Sequence, residues 1–264
     1  RGRGFHNKET MRCNRLIIER LNNNGSLIPM SYIITELWKN DLGVVIPTDK
    51  IVSLPAFRGS EPHYGENDNT ILWIGRLVDF KFASLCSLLD FIRDNGTYHL
   101  TIVGDGDKEF LMDYVNANSI PMDRITMLGE VSYKELPRVI SKYAIGYAAG
   151  TSIIEIAQQG KPVIMALQNN KTKKFKRDIC GGVFYNTTKG NLGEDLCIVN
   201  EDEISTTVAD AITEIEKDYR LASQKCFDYV NNEYNQEKNF GEYLKQYSFD
   251  SLKCLEINAL VQDA

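Results

Sequence analysis

The chain has 264 residues, with 30 Lys and Arg against 36 Asp and Glu, so its formal net charge is −6. This acidic balance argues against a nucleic-acid partner, and no apolar run approaches the roughly 18 residues that span a bilayer. The six cysteines are scattered and the three histidines lie far apart, which argues against disulfide scaffolds and metal sites and favours the reducing cytoplasm.

Residues 1–55 form the first predicted segment. Their pattern predicts a helix over Lys8–Asn22, a short strand over Ser31–Ile34, a second short helix and another strand over Ile51–Leu54. One or two strands cannot bury two faces, so we expect this piece to belong to a sheet that the sequence contains only in part. Residues 56–69 carry the turn residues and charges of a linker.

From position 70 onward, short apolar runs alternate with amphipathic helical patterns. The apolar runs are too short for helices and are bounded by Gly, Asp or Pro, so they predict six buried strands. These strands are Ile71–Ile74, His99–Val103, Ile125–Leu128, Tyr143–Tyr147, Pro162–Met165 and Val183–Tyr185. Because alternation of this kind favours parallel pairing, residues 70–204 are predicted to form a doubly wound α/β domain.

Helical patterns separate the predicted strands. The first has an apolar face over residues 82–92 and stops at Asn95-Gly96, a pair typical of a helix C-terminus. Further helices are predicted over residues 107–118, 133–141 and 152–159. Residues 205–264 predict C-terminal helices at 208–212, 218–231 and 236–247, followed by a tail.

Ligands of doubly wound sheets bind beyond the carboxyl ends of the strands, so the loop after each strand is a candidate site. After the first strand, Gly75, Arg76 and Lys81 bring two cations to the beginning of a helix. This arrangement suits a diphosphate, because the helix N-terminus and both side chains attract negative charge. A solvated surface turn is the alternative interpretation of the same spacing.

The loops after the second and third strands offer backbone groups. Gly104 and Asp105 begin a turn that a ligand can approach closely, and Asp107 suits the N-cap of the next helix. Gly129 and Val131 follow the third strand, where free backbone groups could hydrogen-bond a flat base. Each of these signals is weak when taken alone.

The richest loop lies further along the chain. Gly150, Thr151 and Ser152 open a predicted helix whose exposed amides suit phosphate oxygens. Glu155 lies one turn further, where its carboxylate could accept hydrogen bonds from both hydroxyls of a ribose; interaction with the helix dipole alone is the alternative. The basic run Lys171–Arg177 is expected to be a solvated loop, with contact to an anionic acceptor or a membrane surface as the alternative.

Taken in order, these loops resemble the C-terminal half of the GT-B glycosyltransferases, and most of all the retaining family called glycosyltransferase group 1, or family 4. The likeness is carried by Trp73-Ile-Gly-Arg-Leu with Lys81, Thr101-Ile-Val-Gly-Asp-Gly, Ile125-Thr-Met-Leu-Gly-Glu-Val and Ile154-Glu-Ile-Ala-Gln-Gln-Gly-Lys-Pro-Val-Ile. It implies that residues 1–55 close an acceptor-side N-terminal domain, most of which the sequence lacks. Residues 56–69 would then lead to a nucleotide-sugar-binding domain at 70–204, with C-terminal helices and a tail at 205–264.

The resemblance also implies roles for individual residues. Arg76 and Lys81 match the pair that neutralises the donor diphosphate and the leaving nucleotide, so neither a metal nor another cofactor is expected. Gly129 and Val131 match positions whose backbone groups meet the base. Retention at the anomeric carbon is implied by the family alone.

Two further roles concern the helix that begins near position 151. Glu155 matches the second glutamate of the family's Glu-x7-Glu motif, which holds the ribose hydroxyls, and Gly150 and Thr151 match amides near the phosphates and the donor sugar. Tyr147 stands where the family has its first glutamate, so the contacts with the donor sugar are expected to differ, or the loop to be shorter.

The sequence therefore supports two functional hypotheses. The first is a cytoplasmic glycosyltransferase that moves a sugar from a nucleotide-diphosphate sugar to a polysaccharide or glycolipid, with peripheral contact to the inner face of a membrane as an option. The second is a nucleotide-binding or regulatory module without turnover. An unrelated NAD enzyme is a distant third, since no Gly-x-Gly-x-x-Gly follows the first strand.

Overall fold

The computed structural model of the protein describes residues 8–56, 62–169 and 171–246. The described chain divides into two units. The smaller takes the residues up to Pro55, the segment Thr188–Gly190 and the residues from Gln236 onward, and the larger takes the rest. Residues 57–61 of the predicted linker and the predicted tail after position 246 lie outside the described residues, and the functional division of the chain stays a prediction.

The described helices and strands alternate through most of the larger unit. In chain order they are α1 (Lys8–Asn23), α2 (Tyr32–Leu42), β1 (Thr70–Ile74), α3 (Asp79–Asp94), β2 (His99–Val103), α4 (Lys108–Ala117), β3 (Ile125–Gly129), α5 (Leu136–Ile140), β4 (Ile145–Ala148), α6 (Thr151–Gln158), β5 (Val163–Met165), α7 (Val208–Lys217), α8 (Tyr219–Glu233) and α9 (Gln236–Gln246). Helices α1, α2 and α9 belong to the smaller unit.

The described part of the smaller unit is helical, and two strand predictions fail there. The strand predicted over Ser31–Ile34 is wrong, because the Ser31 Oγ caps α2 by accepting a hydrogen bond from the Ile34 amide at 3.3 Å. The cap satisfies a first-turn amide, so the apolar residues that follow continue as a helix. The strand predicted over Ile51–Leu54 is also absent; the Val52 amide bonds to the Pro29 carbonyl at 3.0 Å without continuing into a ladder.

In the larger unit, five strands form one parallel sheet in the order β3-β2-β1-β4-β5. Ile71 of β1 pairs with Leu100 on one side and with Ile145 on the other. The β1 residues from Ile71 to Ile74 are all buried, as expected where helices cover both faces of a sheet. The predicted α/β class with a doubly wound parallel sheet is therefore confirmed.

The sixth predicted strand, Val183–Tyr185, is wrong. Val183 makes only an isolated antiparallel bridge to Ile164, and the residues after it form a 3-10 turn. The run is apolar for another reason: the ring of Phe184 is fully buried, with its centroid 5.0 Å from that of Tyr229 and 5.9 Å from that of Tyr234. A buried aromatic cluster thus produces the same apolar run as a short strand.

The helices around the sheet lie where the sequence predicts them, with two corrections. The helix predicted over residues 208–212 is longer, because α7 continues to Lys217. Helix α3 ends so that its C-cap falls on Asn95, as expected. The helix predicted over residues 133–141 is shorter, because it begins only at the start of α5. Ser132 Oγ donates to a Glu135 carboxylate oxygen at 2.8 Å and holds the preceding residues, including Tyr133, in a turn.

The strand order reverses at β1. The chain passes from β1 to β2 and β3 on one side, and then returns to β4 and β5 on the other. The loops after β1 and β4 therefore leave the same sheet edge in opposite directions, and a crevice opens between them. This crevice is the place where a doubly wound sheet binds its ligands.

One side chain ties α3 to the segment after β5. Ser84 Oγ donates to the Leu167 carbonyl and accepts from the Leu167 amide, both at 2.8 Å, in a fully buried setting. We predict that Ser84→Ala lowers the free energy of unfolding by about 2–4 kcal/mol, because both backbone groups lose their partner in the interior. Ser87→Ala is the matched control, since within the described residues the Ser87 hydroxyl bonds only to the Ala83 carbonyl of its own helix, at 3.3 Å. Urea denaturation measures both, and equal losses would contradict the prediction.

Candidate functional site

The crevice contains a cavity of about 460 Å³ at the carboxyl ends of the strands. Its lining is Ile74, Gly75, Arg76, Lys81, Val103, Gly104, Asp105, Glu130, Val131, Leu136, Ala149, Gly150, Thr151 and Ser152. Of the predicted site residues, only Gly129 and Glu155 lie outside this lining. The fold thus brings together loops that the sequence could only propose one at a time.

Arg76 and Lys81 are the two cations in the lining of the cavity, which also contains the acidic residues Asp105 and Glu130. Lys81 lies in the first turn of α3, and its Nζ is 3.4 Å from the carbonyl oxygen of Ala149, which follows β4. Within the described chain, neither cation has a carboxylate at ion-pairing distance. Burial lowers the pKa of Lys81, and the charge of Arg76 lowers it further. Two like charges without a counter-ion favour the binding of an anion.

The loops after β1 and β2 are joined to each other through their backbones. The Leu77 amide bonds to the Asp105 carbonyl at 2.9 Å. At Gly104 the φ angle is +137°, and a Cβ there would lie 2.1 Å from the Gly75 carbonyl oxygen. Only glycine permits this approach, so Gly104 is explained by loop packing. The Asp105 carboxylate pairs with Lys108 at 2.8 Å, which lowers the pKa of Asp105.

The loop between β4 and α6 consists of Ala149 and Gly150 alone. Gly150 is the N-cap of α6 with φ 74° and ψ −151°, a conformation that is essentially restricted to glycine. No side chain caps this helix, and its first turn contains no acidic residue. The first-turn amides of Thr151 and Ser152 lack acceptors within the helix, and both residues line the cavity. The amino end of α6 is therefore available to an anion.

Tyr147 does not take part in the cavity. Its side chain is completely buried, and its ring stacks on Trp73 with centroids 5.9 Å apart and an interplanar angle of 24°. The position eight residues before Glu155 is thus a core position in β4. The short loop that follows β4 supplies no carboxylate in its place.

Glu155 is half-buried in α6, one helical turn after the lining residues Thr151 and Ser152. Tyr133, in the turn before α5, donates its hydroxyl to Glu155 Oε1 at 3.2 Å. Burial raises the pKa of Glu155, and the hydrogen bond from Tyr133 opposes that rise. The sequence gives no sign of this pair, because 22 residues separate its members and only the packing of the loops brings them together.

The basic run Lys171–Arg177 is largely occupied within the protein. Lys173, Lys174 and Lys176 approach the carboxylates of Asp79, Asp90 and Asp202 at 3.6, 3.3 and 3.7 Å. The Arg177 guanidinium donates to three backbone carbonyls at 2.9–3.3 Å. None of these residues lines the cavity, so contact with an acceptor or a membrane stays a prediction.

Metal-ligating clusters and membrane-spanning helices are both missing from the described residues. In residues 8–56, 62–169 and 171–246, no three His, Cys, Asp or Glu side chains are grouped so that they could hold a metal ion. The same described residues contain no helix whose length and apolar character would let it cross a membrane.

Comparison with known proteins gives structural likeness without sequence likeness. No protein-family model and no curated protein sequence matches the chain. TarM of S. aureus, solved as a mutant in complex with Fondaparinux, alpha-GlcNAc-glycerol and UDP, superposes with a TM-score of 0.60 and 16% identity over 89% of this chain. Anabaena Alr3699/HepE in complex with UDP superposes with a TM-score of 0.59 and 13% identity over 91% of this chain. The lipopolysaccharide outer core galactosyltransferase WaaB superposes with a TM-score of 0.52 and 18% identity over 83% of this chain.

The match covers only part of those proteins. This chain spans 46% of the TarM chain, 61% of the WaaB chain and 68% of the HepE chain. The structural neighbours are glycosyltransferases with a GT-B-like fold, and at these identities the likeness establishes a shared fold. Membership of group 1, or family 4, stays a prediction.

The cavity generates a prediction about charge. Because the charge of Arg76 lowers the pKa of Lys81, we predict that Arg76→Ala raises that pKa toward the ordinary lysine value. The matched control is Arg138→Ala, which removes an exposed cation that does not act on Lys81. NMR titration of ¹³C-labelled lysine, with the signal assigned by its loss in Lys81→Arg, measures the pKa. An unchanged value in Arg76→Ala would show that the two cations do not interact.

Proposed function

We propose that this cavity binds the diphosphate of a nucleotide-sugar donor, and that the whole protein is a glycosyltransferase acting on a glycan or glycolipid acceptor. The observation that carries the proposal is that Arg76 and Lys81, which form no ion pair with a carboxylate of the described residues, line the same cavity as the uncapped amino end of α6. UDP is present in the TarM and HepE structures that share the fold.

The electrostatics suit a leaving group that gains negative charge as the glycosidic bond to the donor breaks. Arg76 and Lys81 would contact the diphosphate oxygens, and the free amides of Thr151 and Ser152 would add hydrogen bonds from the other side. Donors that are fixed before the reaction stabilise developing charge without reorganising. No metal or other cofactor is required for this role.

The nucleoside part would extend from the diphosphate toward α5. The backbone at Gly129 and Val131 would meet the base, and Glu155 would accept hydrogen bonds from the ribose hydroxyls. Glu155 is well placed for this because, within the described chain, Tyr133 is its only hydrogen-bond donor and the second carboxylate oxygen is unused.

Several finer features belong to the same proposal. The resemblance to group 1, or family 4, implies retention at the anomeric carbon and action in polysaccharide or glycolipid synthesis. The scattered cysteines favour a cytoplasmic location, with contact to the inner face of a membrane as an option. The same resemblance implies that the acceptor is held mainly by the domain to which residues 1–55 belong.

A nucleotide-binding module without turnover is the second candidate. The observation that favours it is the two-residue loop between β4 and α6, with core residue Tyr147 eight positions before Glu155. In this arrangement neither the loop between β4 and α6 nor the position eight residues before Glu155 supplies a carboxylate. The two candidates differ in whether the protein, together with any sequence upstream, releases a nucleoside diphosphate from a nucleotide sugar.

The proposal predicts binding of a nucleoside diphosphate by this chain. At least one of UDP, ADP, GDP and dTDP should bind in calorimetry, and Lys81→Ala should weaken that binding tenfold to hundredfold, or by about 1.5–3 kcal/mol, because a charge-assisted bond is lost. The matched control is Lys142→Ala, at an exposed lysine outside the cavity, which should bind like the parent protein. A folded sample that binds none of the four at millimolar concentration would refute the donor site.

A separate prediction concerns the sugar of the nucleotide. Glu155→Gln should weaken a ribonucleotide about tenfold and its 2′,3′-dideoxy analogue much less, because the neutral amide has one acceptor where the carboxylate has two. Glu109→Gln, at an exposed glutamate of α4, is the matched control. Isothermal titration of both ligands gives the ratio of dissociation constants. Equal losses for the two ligands would place Glu155 away from the ribose.

A further inference from the structure

Tyr133 is held at the rim of the site by one polar contact. Its side chain is 72% exposed, so apolar burial contributes little to its position. The hydroxyl donates to Glu155 Oε1 at 3.2 Å, and within the described chain it has no other hydrogen-bond partner. The contact crosses from the turn before α5 to the second turn of α6, which are the two elements that flank the proposed nucleoside position.

The same contact restrains Glu155. A glutamate side chain has three rotatable bonds, and fixing it on ligand binding costs entropy. Tyr133 occupies one of the lone-pair sites on Oε1 and leaves Oε2 and the remaining site on Oε1 for incoming hydroxyls. The carboxylate is therefore held on one side and open on the other.

We propose that Tyr133 is a positioning residue that orients the Glu155 carboxylate for the two hydroxyls of a ribose, and that it thereby sets the preference for ribonucleotides. The inference rests on the proposed function, since it requires a nucleotide in the cavity. It requires that Tyr133 and the ribose hydroxyls donate to Glu155 at the same time, which the free acceptor sites of the carboxylate allow.

Competition between the Tyr133 hydroxyl and the ribose for Glu155 would change ribonucleotide affinity in the opposite direction. If the Tyr133 hydroxyl occupied the place of a ribose hydroxyl, its removal would strengthen ribonucleotide binding. If the ring alone mattered, by stacking on a base, removal of the hydroxyl would change nothing while removal of the ring would weaken every nucleotide.

The test compares UDP with 2′,3′-dideoxyuridine diphosphate in calorimetry on the full chain. Tyr133→Phe should weaken UDP about threefold to tenfold, as expected for one hydrogen bond, and leave the dideoxy ligand within twofold of the parent. Tyr133→Ala should show the same selective loss. Tyr143→Phe is the control, because the Tyr143 ring is partly buried in the same unit and its hydroxyl makes no hydrogen bond within the described chain.

A pH profile separates positioning from a general structural effect. The Tyr133 hydrogen bond lowers the pKa of Glu155, and Tyr133 is the titratable group that acts on this carboxylate in the described chain. Its removal should raise the pKa, so the preference for UDP should disappear at a higher pH in Tyr133→Phe than in the parent protein. A structural role alone would leave this midpoint where it is.

The outcomes distinguish the two levels of the proposal. If the parent protein binds no nucleoside diphosphate, the proposed function fails and this inference fails with it. If the parent prefers UDP and Glu155→Gln abolishes the preference, but Tyr133→Phe retains it with an unchanged pH midpoint, only the positioning role is refuted. Tighter binding of UDP by Tyr133→Phe, or loss of affinity confined to Tyr133→Ala, also refutes it.

Discussion

Parallel pairing on both sides of β1 is the constraint on which the crevice depends. Since β2 and β4 both run parallel to β1, the three strands deliver their following loops to one edge of the sheet. The strand order then sends α3 and α6 to opposite faces, which separates the loops enough to leave a cavity. No loop alone forms the site. Each loop contributes one wall of the cavity, and strand pairing fixes the position at which each loop leaves the sheet.

Charge is distributed unevenly over this frame. The chain is acidic overall, and most of its basic loop over Lys171–Arg177 is satisfied by nearby carboxylates and carbonyls. Arg76 and Lys81 are different, because neither forms an ion pair with a carboxylate in the part of the chain that the structure describes, and Lys81 contacts the Ala149 carbonyl. The charge of Arg76 disfavours the charged form of Lys81, and an anionic ligand placed between the two cations would offset that repulsion.

The sequence predicted elements correctly where the hydrophobic periodicity and the residues that bound an element agree. The five strands from Ile71 to Met165 and the helix that stops at Asn95 are examples, because short apolar runs and caps are local properties. It failed at Ser31–Ile34, where a serine cap outweighed β-branched residues, and at Val183–Tyr185, where aromatic packing imitated a strand. In the site, glycines and cations after the strands predicted which loops would contribute. The contact from Tyr133 to Glu155 depends on three-dimensional packing that no local pattern encodes.

The two-residue connection between β4 and α6 has a mechanical consequence. With only Ala149 and Gly150 between a buried strand and a helix, this wall of the cavity has almost no freedom to rearrange. A ligand seated there meets a preformed surface and loses little affinity to the ordering of the protein. Any induced fit must therefore come from the opposite rim, where the exposed turn before α5 is anchored by side chains rather than by the sheet.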